Sequence, residues 1–554
     1  MDGLRSEAFS TKHIGHLGLV ADKIDELDLV ELIDQRLPIS EAHGANVSHG
    51  ERVAAMILNG LGFIDSRLYL FPDFLQDKAI DKLFNRDIKA DFFNDDALGR
   101  CLDEISAYGS TKLFTELSFL IGKKRGLLGG SVNIDTTTLS LYGSYEQDDL
   151  ILEDTEIKER PRPAQGHAKS GRHDLKQMIL LLATTGAASF PVWMEAHSGN
   201  ESDQKTMPEA AVKIRALCNE LKNSPDFMYV GDSAIYSNIL QHSNEMKWIT
   251  RVPERIKEAS NLVSTPKDSL TWHDLENGYS YSNSSSNYKD VEQRWVLFFS
   301  EAAYHRECKT LDKNIKKEYV EQTKAWWHLS NRVFECEADC LSEVEKLQKK
   351  LKYHQVSVQV DSIKKHSRPG RPKPGETPKI TGYQVSYELT KDEEKCRKAR
   401  EKKGRFILAT NELDDVNLSS ADVLKEYKAQ SGTERSFKFI KDDTFQVDSV
   451  FLESAHRIEA LMMVMTLCLM IYGVSEYELR ESLIKANQTV PSQTKKEIQN
   501  PSMRWIYFLF RSINELHIDI EGHTKKIVVN LSHLLKRIVR HFGERAQAIY
   551  LNST

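Results

Sequence analysis

The sequence predicts an α/β protein: a mixed sheet flanked by helices, interrupted by an inserted domain and preceded by a helical N-terminal domain. Three observations predict it. Apolar residues recur at spacings of three and four across 14–121. Strand-like segments with one helical segment among them fill 131–237. From about residue 250 the chain turns polar, then basic and proline-rich, before another strand pattern at 404–411.

Each element follows from its residues. LVADKIDELDLVELI, VAAMILNGLGFI and LFTELSFLI carry the helical spacing of residues 1–121. SVNIDTTTLSLYG, LKQMILLLATTG, FPVWMEAHSG and FMYVGDSAIYS are rich in β-formers and bounded by Gly, Pro or Asp, so they read as four strands. ESDQKTMPEAAVKIRALCNEL, between the third and fourth, has helical spacing, and these elements make up 122–249. Residues 250–405 hold β-like chain around RWVLFFS, a charged helical stretch over 309–352 and the link HSRPGRPKPGETP, and read as an insertion. GRFILATN is a further strand, and LSSADVLKEYKAQSGTERSFKFIKDD reads as one helix started by a cap at Ser419 and Asp422. ALMMVMTLCLMIYGV, shorter than the roughly 20 residues a bilayer needs, reads as a core helix within 406–485, and 486–554 as a helical C-terminal region.

Composition bounds the function. With 554 residues, 40% hydrophobic and 28% charged, the chain is no collagen, disordered polymer or membrane channel. Seven scattered cysteines argue against a disulfide framework, and the N-terminal MDGLRSEAFSTKHIGHLGLV lacks the pattern of a signal peptide, so the expected location is the cytoplasm with no membrane partner. The net charge of −6 hides an asymmetry, since residues 346–405 hold 18 Lys or Arg against 7 Asp or Glu. Such a local excess is an electrostatic footprint for a polyanion.

Three acids carry the candidate chemistry. Asp135 sits inside an apolar strand pattern, where a buried carboxylate costs several kcal/mol unless partnered. Asp232 follows FMYVG at the carboxyl end of a strand, where open α/β sheets place ligand groups. Tyr427, Gln430, Glu434 and Lys441 fall within an arc of roughly 60° on one predicted helix face. Hard carboxylate oxygens suit Mg²⁺ or Mn²⁺, and two such ions about 3.5–4 Å apart support in-line phosphoryl displacement. Tyr427 and Lys441 are placed to touch phosphate. Taken singly, a strand-end Asp is commonly a turn residue and Glu434 a solvated helix residue; the order and the shared face single them out. Gly432 weakens the helix by about 1 kcal/mol.

At these residues the chain resembles the DDE transposases of bacterial insertion sequences. The likeness is to the branch with a tyrosine, arginine, glutamate and lysine signature, in particular insertion sequence family sixteen-thirty-four. The signature reads YKAQSGTERSFKFIK, so Tyr427, Glu434 and Lys441 match and Gln430 replaces the arginine. VNIDTTTLSLYG, GRHDLKQ with GNESD, VGDSAIYS, WITRVP, GRPKPGE, GRFILATN and RIEALMMVM follow in matching order. The resemblance implies a ribonuclease H-like catalytic core with Asp135, Asp232 and Glu434 as catalytic and metal-holding triad, and an insertion domain before the glutamate. It also implies an N-terminal DNA-binding or accessory module and an activity of cleavage at inverted terminal repeats with strand transfer. The implied cofactor is Mg²⁺ or Mn²⁺, two ions; the implied partner is double-stranded DNA, bound by a homodimer in a synaptic complex at the bacterial nucleoid. The alternatives from other classes are a noncatalytic or domesticated DNA-binding relative and a simple metal nuclease.

Other segments carry smaller expectations. Arg368, Arg371 and Lys373 in HSRPGRPKPG are similar to an AT-hook that enters a narrow minor groove; a solvated linker is the plainer reading. Tyr427, Gln430 and Lys441 complete the set of DNA-binding candidates. Trp326 and Trp327 are aromatic enough to stack on a base, though core packing accounts for them more simply. His305, Cys308, His328, Cys336 and Cys340 are zinc-compatible types in a spacing that matches no usual finger. No P-loop, dinucleotide fingerprint or serine elbow occurs.

Overall fold

The computed structural model describes residues 8–552 apart from 40–44, 63–70, 142–144, 146–160, 167–170, 221–224, 367–376, 442–453 and 521–522. The chain divides into two compact units, Met1–Thr250 with Leu424–Thr554, and Arg251–Val423.

The first unit is built around five strands in the order β4-β3-β2-β5-β6. β2 (Ser131–Leu141), β3 (Lys176–Thr185) and β4 (Phe190–Ser198) form an antiparallel meander, in which Asp135 faces Leu182 and Asn133 faces Thr184. Helix α5 (Asp203–Glu220) then carries the chain back to β5 (Met228–Gly231), parallel to β2, and β6 (Lys247–Arg251) runs parallel to β5. β3 is buried at every position but its first, because the apolar run MILLLATT is covered on both faces. The sheet is therefore mixed and flanked by helices.

Helices α1 (Leu17–Glu26), α2 (His49–Leu61), α3 (Asp95–Tyr108) and α4 (Ser110–Arg125) form the N-terminal segment. α2 opens with a capping box: the Ser48 hydroxyl accepts from Glu51 N–H (3.1 Å), and the Glu51 carboxylate accepts from Ser48 N–H (2.8 Å). The apolar segment singled out in the sequence lies in α10 (Ala455–Lys485), which packs against α2, α3, α4 and β4. By length and hydropathy α10 is long and apolar enough to cross a membrane, yet its apolar window is 83% buried inside the protein, so it is the core helix of the unit. Arg457 grips Asp103 of α3 through two bonds of 2.7 Å.

The N- and C-terminal segments, read from the sequence as 1–121 and 486–554, are joined to each other by a strand pairing. A short strand β1 (Ala8–His13) pairs with β15 (Asn514–Ile520), which pairs with β16 (His523–Val529). This pairing joins residues some five hundred apart, and no local pattern announces it. Buried Asp22 of α1 performs a second junction: its two oxygens accept from Ala546 N–H (2.8 Å) and Gly543 N–H (3.1 Å), capping helix α13 (Glu544–Leu551). Burial pushes the Asp22 carboxyl up from 3.8 to about 6, against the opposing backbone bond from Ala546. The folded chain therefore holds this proton more tightly than the unfolded chain. The resulting stability is present below about 3.8 and is lost as pH rises through about 6, on the order of 3 kcal/mol. Asp22→Asn is expected to flatten this segment of the stability curve, as read from urea midpoints between those pH values.

The second unit contains an antiparallel sheet of β7 (His273–Leu275), β8 (Tyr279–Tyr288), β9 (Val291–Ser300) and β12 (Arg405–Thr410). The thirty-residue helix α6 (Glu301–Ser330) follows, then α7 (Glu337–Gln348) and the paired strands β10 (His354–Lys365) and β11 (Lys379–Lys391). The two adjacent tryptophans part here, because neighbours on a helix point about 100° apart. Trp326 is fully buried with Leu329, Phe334, Cys340 and Val385, whereas Trp327 is 57% exposed. Cys340 belongs to that apolar cluster, and Cys308 is buried on α6.

Candidate active site

The three acids all lie in the first unit. Asp135 sits in mid-β2, half-buried, with one carboxylate oxygen accepting from Thr136 N–H (2.8 Å). Successive residues of a strand face opposite ways, so Ser131, Asn133, Asp135 and Thr137 share one face. That face is polar over these four positions before it turns apolar at Leu139 and Leu141, an unusual pattern for a strand at the middle of a sheet. The other face carries Thr136, whose hydroxyl donates to Asp203 of α5 (2.7 Å).

Asp232 stands one residue past β5. The register sets Asn133 opposite Val230, and continuing it by two residues brings Asp232 level with Asp135 on the neighbouring parallel strand. Neighbouring strands run about 4.8 Å apart, so the two aspartates are close along the hydrogen-bonding direction. The Asp232 turn is well determined. Its carboxylate accepts from Ala234 N–H (2.8 Å), and its carbonyl accepts from Ile235 N–H (3.3 Å) and from the Thr250 hydroxyl of β6 (2.7 Å).

Glu434 lies in the first turn of helix α9 (Ser431–Ile440) and is exposed. The buried side of α9 rests on the sheet. Thr433 and Thr184 of β3 share a hydroxyl bond of 2.7 Å, and Thr184 lies opposite Asn133, so α9 covers the face of β2 that bears Asp135. Gly432 permits this approach: a Cβ there would meet the Ser189 Oγ at 2.1 Å and its Cβ at 2.9 Å. The glycine that costs helix propensity is the residue that lets the helix seat. Upstream, Glu426 of α8 (Ser420–Ala429) accepts from the Ser131 hydroxyl on the same face of β2.

The signature segment differs from the single helix that its periodicity predicts. α8 ends at Ala429 and α9 begins at Ser431, with a three-residue bond from Gln430 N–H to the Tyr427 carbonyl (3.2 Å) at the junction. A bond spanning three residues winds the chain more tightly than the α-helix and shifts its phase. Gln430 is buried, Tyr427 half-buried, and Glu434 and Lys441 exposed, so the four do not share one solvent face. The Ser419 cap is present, its hydroxyl accepting from Asp422 N–H (3.1 Å).

Among the described residues, no three His, Cys, Asp or Glu side chains gather closely enough to hold a metal ion. Asp135 lies in β2, Asp232 just past the end of the neighbouring parallel strand β5, and Glu434 on the helix over that face, without the three being drawn into one coordination group. Their oxygens are the hard donors that Mg²⁺ and Mn²⁺ take, and the half-buried aspartate pair is the part that fits such an ion. Arg368, Arg371 and Lys373 lie outside the described residues. Arg172 is paired with Asp174 (2.8 and 2.7 Å), which holds that exposed carboxyl down at about 2. A cavity of about 890 Å³, lined by Phe119, Trp193 and Leu217 among others, includes none of the three acids.

Sequence reasoning missed Asn133, Thr184 and Thr433. Asn133 is buried, and its side-chain oxygen has no hydrogen-bond partner. The alternation Ser131, Asn133, Asp135, Thr137 was the available signal.

Residues 134–471 match the family of the transposase DDE domain, and residues 9–119 match a domain of unknown function (DUF4277). No curated protein matches the chain. Among solved structures, the piggyBac transposase synaptic complex with hairpin DNA is similar over 90% of this chain and 79% of that chain, at 9% identity and a TM-score of 0.35. A likeness that distant carries no residue across.

Proposed function

The chain belongs to the transposases with a DDE domain, and from that premise we propose that it cuts DNA at inverted terminal repeats and joins the freed ends to a target. Asp135, Asp232 and Glu434 are the catalytic acids of this reading. The observation that carries it is the parallel register of β2 and β5, which continued by two residues sets Asp232 beside Asp135, under the helix that bears Glu434. Strand order supports a ribonuclease H-like core: three antiparallel strands, then two parallel to the first. The signature around Glu434 supports insertion sequence family sixteen-thirty-four, hence a bacterial element and a cytoplasmic protein working on the nucleoid.

In the first step a water oxygen attacks phosphorus at the element end, and the departing 3′ oxygen leaves as a hydroxyl. In the second, that 3′ oxygen attacks phosphorus in the target strand, forming one phosphodiester bond as another breaks. Asp135 and Asp232, with Glu434 completing the set, would hold Mg²⁺ or Mn²⁺. Two such ions supply charge stabilisation of the attacking and departing oxygens. The Thr250 bond to the Asp232 carbonyl and the Thr433–Thr184 bond fix the frame from which these acids project. Tyr427 and Lys441 contact phosphate beside Glu434, while Gln430 supports the junction between α8 and α9. Two copies hold the two ends in a synaptic complex.

The test uses supercoiled plasmids, one carrying the element's own ends and one without them. With Mg²⁺ present, cleavage and joining should be confined to the first. Equal cutting of both would favour a simple nuclease, and absence of cutting with DNA binding intact would favour a noncatalytic relative.

A further inference from the structure

We propose that the C-terminal region forms a second DNA-docking surface, made by the hairpin β13–β14 and the two helices bonded to it, that grips the phosphate backbone of a duplex. The proposal rests on the DNA reading above and adds a surface that the signature residues do not include. Residues 485–545 hold eleven Lys or Arg against five Asp or Glu, in a chain whose net charge is −6. One of those acids, Glu515, is fully buried and paired with Lys82 (2.9 Å), so it does not neutralise the surface.

The cations are brought together by the fold. β13 (Val490–Pro491) and β14 (Glu497–Ile498) close a tight turn that lifts Lys495 and Lys496 into solvent. The indole N–H of Trp505 on α11 (Met503–Phe510) donates to the Pro491 carbonyl (2.7 Å), fastening α11 to the hairpin. Arg537 of α12 (His533–Val539) donates to the Thr489 carbonyl next to the same strand (2.9 Å). Lys536 and Arg540 are exposed one helical turn apart on and just past that helix.

α11 also carries a stacked ladder. The Trp505 and Phe508 rings lie 5.4 Å apart at 16°, and the Arg511 guanidinium sits 3.9 Å from the centre of the Phe508 ring, which is 47% exposed. A guanidinium held over an aromatic face loses little freedom when it takes up phosphate. Among the described residues no carboxylate pairs with Lys495, Lys496, Arg511, Lys536 or Arg540, whereas cations elsewhere in the unit are commonly paired, as Lys526 is with Asp81. Unpaired cations around a preorganised guanidinium are complementary to a polyanion. They contact backbone rather than base edges, so the grip is independent of sequence.

The experiment measures binding of full-length protein to a fluorescein-labelled random-sequence duplex by anisotropy over a salt series. Lys495→Ala/Lys496→Ala/Arg511→Ala is compared with wild type, and Lys495→Glu/Lys496→Glu serves as a charge-reversed second variant. These side chains are exposed, and unchanged circular dichroism and melting temperature confirm the fold. The triple variant should bind about 10-fold or more weakly, with the slope of log K against log salt smaller by about 2–3, from roughly 0.9 per lost phosphate contact. An unchanged slope and affinity in both variants, with wild type binding normally, overturns this surface alone. Failure of wild type to bind any duplex overturns the surface together with the DNA reading.

Discussion

Asp232→Asn is expected to abolish strand cleavage and joining, by on the order of 10³-fold or more, while leaving fold and DNA affinity in place. The separation follows from geometry. The bond that orders the Asp232 turn uses a carboxylate oxygen as acceptor for Ala234 N–H, and the Asn amide oxygen can take that role. The substitution removes charge, and with it the donor strength needed for a divalent ion. Asp135→Asn keeps its acceptor for Thr136 N–H in the same way and should show the same loss. The readout is nicking and joining of a labelled duplex carrying the terminal sequence, beside an anisotropy titration of the same duplex. Turnover at the wild-type level in either variant contradicts the assignment.

The second large effect is expected at Gly432. In Gly432→Ala the new methyl meets Ser189; rotation of the hydroxyl relieves the contact at 2.1 Å but not the one with Cβ at 2.9 Å. Helix α9 must lift or slide, and Glu434 moves with it. A displacement of about 1 Å at a reacting centre costs on the order of 10²-fold. Ser189 has φ +49, a conformation that glycine adopts without strain. Ser189→Gly in the same chain should therefore restore turnover to within about 3-fold, a coupling that independent sites do not show. A double variant as slow as the single one would contradict the seating of α9 on the β3–β4 turn.

Much of the first unit was legible because its signals are local. The strand holding Asp135, the strand that ends just before Asp232, the helix between β4 and β5, and the buried course of α10 are each written in a continuous pattern of apolar residues. The cap at Ser419 was legible for the same reason. What escaped depends on contacts between distant segments. β1 owes its existence to pairing with β15, and Asp22 is buried because it caps a helix more than five hundred residues away. The break at Gln430 follows from α9 having to rest on β3 and the Ser189 turn, which periodicity along α8 and α9 does not register. Gly432 was read as a weakness of the helix because propensity weighs a residue without its neighbours. The polar face of β2 was present in the sequence, and only the pairing of Asn133 with Thr184 shows that a helix covers it.

The central claim is that Asp135, Asp232 and Glu434 hold divalent ions together. Anomalous diffraction from crystals of the protein with Mn²⁺ and a duplex bearing the element's end tests it most directly. The account predicts manganese peaks within about 2.0–2.3 Å of carboxylate oxygens from both aspartates, with Glu434 turned toward the same peaks. Manganese bound elsewhere on the chain, with Asp135 and Asp232 taking no part, would contradict it.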